Sequence, residues 1–257
     1  MSRLIALDVG NTDTKAARWT GTAWSDRRRW PSTPAAVRAS LAAYLQREQA
    51  PVGLVSVVPA LVQVVEEASA AAGVPCRVVR ATDADLPLRM GYATPETLGA
   101  DRIAAACAAH ARYGRDEGGA SRAVLVVDAG TACTLEVVDA SGLYRGGAIA
   151  PGPRLLAAAL SRGTAQLPEV EAAWPDAIIG RSTREAIQAG VMVGFVGAVD
   201  RLLREAERAL GARAVRVATG GHAAVLARHV PFDAVVPDLV LDGVRLVAGP
   251  SLGVPVR

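Results

Sequence analysis

Leu4-Ile5-Ala6-Leu7-Asp8-Val9-Gly10-Asn11-Thr12-Asp13-Thr14-Lys15 is the stretch whose reading decides the fold. An apolar run carries Asp8 to its end, and Gly10 permits a tight reversal with the backbone close to whatever docks there. Asn11, Thr12 and Thr14 add amide and hydroxyl donors, and Ala16-Ala17-Arg18-Trp19 can return as a second strand. A carboxylate at a strand end, followed by small donors in a hairpin, suits a magnesium-bound polyphosphate. The carboxylate holds the cation, often through water, while backbone N–H groups and hydroxyls take phosphate oxygens. Lys15 is the sole lysine among 27 arginines, and a compact point charge is useful at a phosphate. The plain alternative is a hairpin in which Asn and Gly are ordinary turn formers.

A near-copy tips that balance. Leu125-Val126-Val127-Asp128-Ala129-Gly130-Thr131-Ala132-Cys133-Thr134 repeats the apolar strand, the Asp, the Gly two residues on and then the hydroxyl. Two like phosphate hairpins in one chain predict a duplicated domain that grips a nucleotide from both sides.

The chain of 257 residues is long enough for one large or two modest domains, and 51% hydrophobic residues can build a core. A net charge of +3, with Arg27-Arg28-Arg29 as the one basic run, is too mild to indicate nucleic acid, and the run reads as a solvated strand end or turn. Aromatic residues at 4% leave little for stacking on single strands. The chain enters its first strand at once, with no room for a signal peptide, and no run reaches the ~18 uninterrupted apolar residues of a membrane span. Cys76, Cys107 and Cys133 lack any paired spacing and read as small buried hydrophobes of a reducing compartment. His222 and His229, seven apart, could share a helix face but show no zinc spacing. The expectation is a cytoplasmic protein without membrane or nucleic-acid partners.

In chain order, strands are predicted at 3–9, 14–19 and 23–30, a helix at 35–49, a buried strand at 52–58, a helix at 61–72 and a strand at 77–80. A helix from about Glu96 to Tyr113 follows a turn-rich segment, and Arg115–Ser121 is the best linker. The pattern then restarts with strands at 122–128, 133–138 and 143–150. Helices to about Arg162 and over Arg184–Leu210, a strand ending at Thr219-Gly220-Gly221, a helix to about His229 and a closing helix from about Leu239 complete the second half. The expected domains are residues 1–118 and 119–257.

Two further constellations carry chemistry. Gly220 and Gly221 lie between a strand and a helix, where glycines let the backbone approach a flat ligand and the helix N-terminus favours an anion. Tyr92-Ala93-Thr94-Pro95-Glu96-Thr97-Leu98-Gly99-Ala100-Asp101-Arg102 puts Asp101 and Arg102 early in a helix. Adjacent helical residues diverge by about 100°, so one could act on a substrate hydroxyl while the other holds an anion. A solvent-facing acid–base pair is the bland alternative.

Taken in order, Asp8-x-Gly10-Asn11-Thr12-x-x-Lys15, Ser56-Val57-Val58-Pro59, Tyr92 to Arg102, Asp128-x-Gly130-Thr131-Ala132, Gly146 to Gly152, Leu167-Pro168, Thr183 to Gly190 and Thr219-Gly220-Gly221 resemble the type III pantothenate kinases over nearly the whole chain. The resemblance implies an α/β fold of two duplicated ribonuclease-H-like (actin-like ATPase) domains with a central nucleotide cleft. It implies ATP-dependent phosphorylation of pantothenate, the first step of coenzyme A biosynthesis, by a homodimer. Carried onto this sequence, it gives Asp8, Val9, Gly10, Asn11, Thr12, Asp13, Thr14, Lys15 and Thr131 to ATP, with Mg2+ at Asp8, and adds Gly220 and Gly221. It gives Asp128 to a monovalent cation, K+ or NH4+. Tyr92, Gly99, Ala100, Asp101, Arg102 and Thr183 would bind pantothenate, with Asp101 as general base.

Three positions depart from the family pattern: Asp13 adds a charge near the phosphates, Ser182 stands where Asn is common, and Thr97 replaces a frequent acidic residue. Another small-molecule kinase or phosphatase of the same superfamily, or a non-catalytic regulatory homologue, are the competing readings. The helices at 96–113 and 184–210 are candidates for the dimer interface.

Overall fold

The computed structural model describes residues 3–255, which fall into two units. The first comprises the residues through Arg112 together with those from Asp238, and the second is Tyr113–Pro237.

In the first unit, β1 (Leu4–Val9), β2 (Asp13–Trp19) and β3 (Trp24–Pro31) form an antiparallel meander. Helix α1 (Pro34–Glu48) follows, started by Pro34 in its first turn and by Thr33, whose Oγ1 accepts from the Ala36 amide at 3.3 Å. Strand β4 (Val52–Ser56), helix α2 (Pro59–Ala71) and strand β5 (Cys76–Val78) add parallel to β1, giving the order β3-β2-β1-β4-β5. The continuous apolar runs of β1 and β4 reflect burial on both faces. Ile5, Leu7 and Val9 point to one face, where they join Val37, Leu41 and Leu45 of α1 and Leu61 and Val65 of α2.

The second unit repeats this plan. Strands β7 (Val124–Ala129), β8 (Ala132–Val138) and β9 (Leu143–Pro151) form the meander; helices α4 (Pro153–Gly163) and α5 (Thr183–Leu210) follow, and β10 (Val215–Thr219) adds parallel to β7. Helix α6 (Ala223–Leu226) leads to β11 (Ala234–Val235), so the run β9-β8-β7-β10-β11, five of the six strands of this sheet, repeats the order of the first sheet. Its core joins Leu125, Val127 and Leu135 to Phe195, Val199 and Leu203 of α5. Among the described residues α5 is the one helix long and apolar enough to cross a membrane, and one face of it packs into this core.

Between the meanders' repeats lie a two-residue strand β6 (Arg89–Met90), a 3₁₀ turn at Pro95–Thr97 and helix α3 (Ala100–Tyr113). The helix expected from Glu96 therefore begins four residues later, after Gly99. Helix α7 (Leu239–Ala248), expected to finish the second half, packs instead on β1 and β4 of the first unit. The second face of that sheet needs an apolar cover, and Gly53 lets Val244 and Ala248 settle directly on β4. Gly243 in turn lies against the Ala104 backbone, which seats α3 on α7. Arg115–Ser121, expected as a linker, is a closed turn with an antiparallel bridge from Arg115 to Ser121.

Candidate active site

The β1–β2 hairpin presents the first group of side chains. Asp8 and Lys15 are cross-strand partners, and Nζ of Lys15 donates to Oδ2 of Asp8 at 3.2 Å. Asp8 is nearly buried while Lys15 stays half-exposed, so the ammonium lies at the rim and the carboxylate below it. The turn closes with the Gly10 amide donating to the Asp13 carbonyl at 3.1 Å, leaving Asn11 and Thr12 exposed at the tip. Val9 and Thr14 point inward. The Thr14 hydroxyl is fully buried and shares a 2.9 Å hydrogen bond with Ser32, so its side chain serves the sheet rather than the tip. Asp13 meets Arg29, whose Nη2 donates to Oδ2 at 2.7 Å.

The β7–β8 hairpin holds the second group. Asp128 occupies the place of Asp8, fifth in a six-residue strand, but its cross-strand partner is Thr134. The turn is tighter, with the Gly130 amide donating to the Ala132 carbonyl at 3.0 Å. Thr131 is exposed at the tip, and its carbonyl accepts from the Gly152 amide at 3.0 Å. Gly220, the residue after β10, has φ +89, and a Cβ there would stand 2.4 Å from Oδ1 of Asp128 and 2.7 Å from the Ala129 backbone. Only glycine fits, and it brings the Thr219-Gly220-Gly221 turn directly against the Asp128 carboxylate. His222 follows, with its amide donating to the Ala129 carbonyl at 3.0 Å. Burial, aided by the Arg154 charge, lowers the pKa of its imidazole and keeps it neutral near pH 7.

Helix α3 carries the third group. Asp101 sits in its first turn, and Oδ1 accepts from the Arg102 amide at 2.8 Å. A Cβ on Gly99 would lie 2.6 Å from that oxygen, so the glycine makes the room in which the carboxylate folds back over the helix start. Here the helix N-terminus is a favourable place for negative charge. Arg102 is buried, Ala100 and Tyr92 are half-buried, and Thr97 bonds its neighbour Thr94. Thr183 is exposed at the start of α5, where Ser182 caps the helix by accepting from the Glu185 amide at 3.3 Å. Asn would cap equally well, which makes that departure neutral.

The structure thus brings Asp8, Asp13 and Lys15 together in the first unit and Asp128 with Gly130 and Gly220 in the second; Gly99, Asp101 and Arg102 form a cluster on α3. Arg29 is the side chain at these sites that the sequence reading passed over; its place in the basic run beside two tryptophans hid a strand register that aims it at Asp13. The cysteines are free thiols, with burial pushing Cys107 and Cys133 up to about 12 and Cys76 to about 11. Helix α6 spans four residues, so His222 and His229 flank it instead of sharing its face; His229 stacks on Trp174 at 3.9 Å.

Comparison with solved structures defines the class. A Thermus thermophilus ROK hexokinase (TM-score 0.52, 15% identity, 98% of this chain and 99% of that one) and an archaeal actin homologue (TM-score 0.54, 11% identity, 97% and 100%) share the fold. So does a Campylobacter jejuni protein described as a Baf family transcriptional activator (TM-score 0.59, 17% identity, 97% and 100%). The molecule has the actin-like ATPase fold of paired ribonuclease-H-like halves. Sequence narrows this further. The family model for type III pantothenate kinase matches residues 4–205. Proteins of that name from Thermomicrobium roseum (37% identity over 94% of this chain and 95% of theirs) and Moorella thermoacetica (36%, 95% and 98%) align over nearly their full length. The chain belongs to the type III pantothenate kinase family.

Proposed function

We propose that the protein transfers the γ-phosphoryl group of ATP to the 4′-hydroxyl of pantothenate, the first committed phosphorylation of coenzyme A biosynthesis. The observation that carries the mechanism is Asp101 in the first turn of α3, with its carboxylate over Gly99. Phosphoryl transfer asks mainly for positioning and charge neutralisation, and one positioned base suffices for the acceptor. Asp101 takes the hydroxyl proton as the oxygen attacks in line, and Arg102 orients the acid. Tyr92, Gly99, Ala100 and Thr183 complete the pantothenate site.

The phosphates engage the amides of Gly10 to Asp13 and the Lys15 ammonium, while Thr131, Gly220 and Gly221 engage the nucleotide. Among the described residues no group of three acidic, His or Cys side chains could hold a metal by itself. A lone Asp8 suits Mg2+ held chiefly by water and phosphate oxygens. Asp128 and the Thr134 hydroxyl beside it are oxygen donors, a set that suits K+ or NH4+. Such a cation would supply positive charge beside the phosphates.

A homodimer is part of the proposal. On α3, residues 102–109 are buried within the chain, which leaves the ends of that helix as its available surface. On α5, Gly190, Val193, Gly194 and Gly197 form an exposed face with open space above each glycine. Interior helical glycines cost about 0.5–1 kcal/mol each relative to alanine, and close packing of a second copy's helix would offset that. A cytoplasmic enzyme without membrane or nucleic-acid partners is part of the same reading, which the mild net charge of +3 supports.

The test is incubation with ATP and a panel of pantothenate, hexoses and acetate, read by mass spectrometry. Phosphopantothenate as the product is expected. A phosphorylated sugar or acetate would assign the chain to another small-molecule kinase, and ATP binding without any transfer would favour a regulatory homologue.

A further inference from the structure

Arg27-Arg28-Arg29 is solvent-exposed, as expected, but is not a strand end. It lies within β3, and each guanidinium has an acidic partner: Arg27 Nη2 on Asp238 at 2.7 Å, Arg28 Nε on Asp26 at 2.8 Å, and Arg29 Nη2 on Asp13 at 2.7 Å. Strand alternation separates their destinations. Arg28 is opposite Ala16, on the face that Ala16 and Trp30 bury against α1. Arg29 is on the other face, and there the register places it in a row.

Lys15 is the cross-strand partner of Asp8 on one side and of Arg29 on the other. Directly opposed residues in neighbouring strands point to one face with Cβ atoms ~4.5–5.5 Å apart. Asp13, two residues before Lys15, shares that face. The phosphate hairpin therefore carries two cations side by side, Lys15 and Arg29, each held by one carboxylate. The two pairs differ in how firmly they are held. Asp8 is nearly buried, whereas the Arg29 and Asp13 side chains are 65% and 29% exposed. An exposed pair is weak and exchangeable, and a polyphosphate offering two oxygens to the planar guanidinium competes well against a single carboxylate oxygen.

We infer that Arg29 is a second phosphate-binding cation of the β1–β2 hairpin, contacting the β- or γ-phosphate of the bound nucleotide. Asp13 is its positioning residue: it holds the guanidinium beside Lys15 and yields it when the polyphosphate arrives. This also gives Asp13, the charge that departs from the family pattern, a partner instead of an open repulsion with phosphate. The inference rests on the assignment of this hairpin to ATP phosphates made above.

Equilibrium binding of ATP, ADP and AMP to wild type, R29A, R29Q and R28A tests it, with pantothenate KM measured in parallel. Gln keeps a donor for Asp13 and removes only the charge, and R28A removes the same charge from the opposite face. R29A and R29Q should bind ATP and ADP about 5–20-fold more weakly, toward the low end of the effect of losing one charge-assisted contact because the Arg29 side chain is exposed. AMP affinity and pantothenate KM should stay within twofold of wild type, as should ATP binding by R28A. An R29Q variant that binds ATP like wild type would overturn the inference, as would an equal loss for AMP and ATP. A wild type that binds ATP without phosphorylating pantothenate would break the proposed function and leave Arg29 to be judged by the binding series alone.

Discussion

The β1–β2 and β7–β8 hairpins are two copies of one device, and they differ where it matters for charge. Each puts an Asp fifth in a six-residue strand, follows it with a Gly, and sits in a sheet of matching strand order. Yet Asp8 faces Lys15 across the strands, and Asp128 faces Thr134. The first hairpin therefore carries an ammonium across from its carboxylate where the second carries a hydroxyl, and the proposed potassium or ammonium ion would bring positive charge to the second. Turn length differs as well: the Gly10 amide reaches three residues ahead and the Gly130 amide two. The tighter second turn leaves one fewer amide at its tip, consistent with a smaller share in phosphate binding.

The comparison predicts that neither hairpin does the proton chemistry. Asp101→Asn should lower turnover by about 10²–10⁴-fold, the usual contribution of a positioned base, while ATP binding stays close to wild type. Loss of ATP affinity in that variant would place Asp101 with the phosphates instead. Next in size, Lys15→Ala should weaken ATP binding about 10–100-fold, as one charge-assisted contact is removed. An equal effect on AMP would show that the ammonium serves the fold and not the phosphates.

The glycines offer a paired test of the two turns. Gly220→Ala forces a side chain into φ +89 and onto Asp128 and the Ala129 backbone, and should cost about 1–3 kcal/mol of stability by chemical denaturation. Gly10→Ala meets only the Asp13 carbonyl at 3.2 Å and should cost less. Equal losses would mean that the Asp128 corner is no tighter than the Asp8 corner.

The smallest effect concerns α7, which packs on β1 and β4. Asp242 accepts from Trp24 Nε1 at 2.7 Å, and burial raises its pKa above the usual carboxylate range despite that bond. The folded state then holds the proton more tightly than the unfolded chain. Stability from this group is full below the unfolded pKa and is lost as pH rises through the folded one. Asp242→Asn keeps the acceptor and should gain less than about 1 kcal/mol near pH 7, with the gain vanishing toward pH ~4. A thermal-melt series over pH checks the slope.

Much of this was legible in the residues. The repeated apolar strand, Asp and Gly announced the duplication, because a buried strand end followed by a reversal leaves a local signature. Asp101 and Arg102 likewise fall early in α3 as expected, although the helix starts after Gly99 and not at Glu96. What stayed hidden was set by tertiary choice. Helix α7 follows the second unit in sequence, yet the bare face of β1 and β4 takes it. The role of Arg29 depended on a register across three strands, which composition does not reveal. The inward turn of Thr14 followed from strand alternation and the Ser32 hydroxyl waiting beneath it.

The division of labour between the hairpins can be tested by giving the second one the first one's cation. Thr134→Lys would set an ammonium opposite Asp128, as Lys15 stands opposite Asp8. The measurement is the rate of phosphopantothenate formation in potassium-only and sodium-only buffers, for wild type and for the variant. Wild type should require potassium or ammonium, and the variant should run at the same rate in both buffers. A wild type indifferent to the cation, or a Thr134→Lys enzyme as potassium-dependent as its parent, would contradict the account.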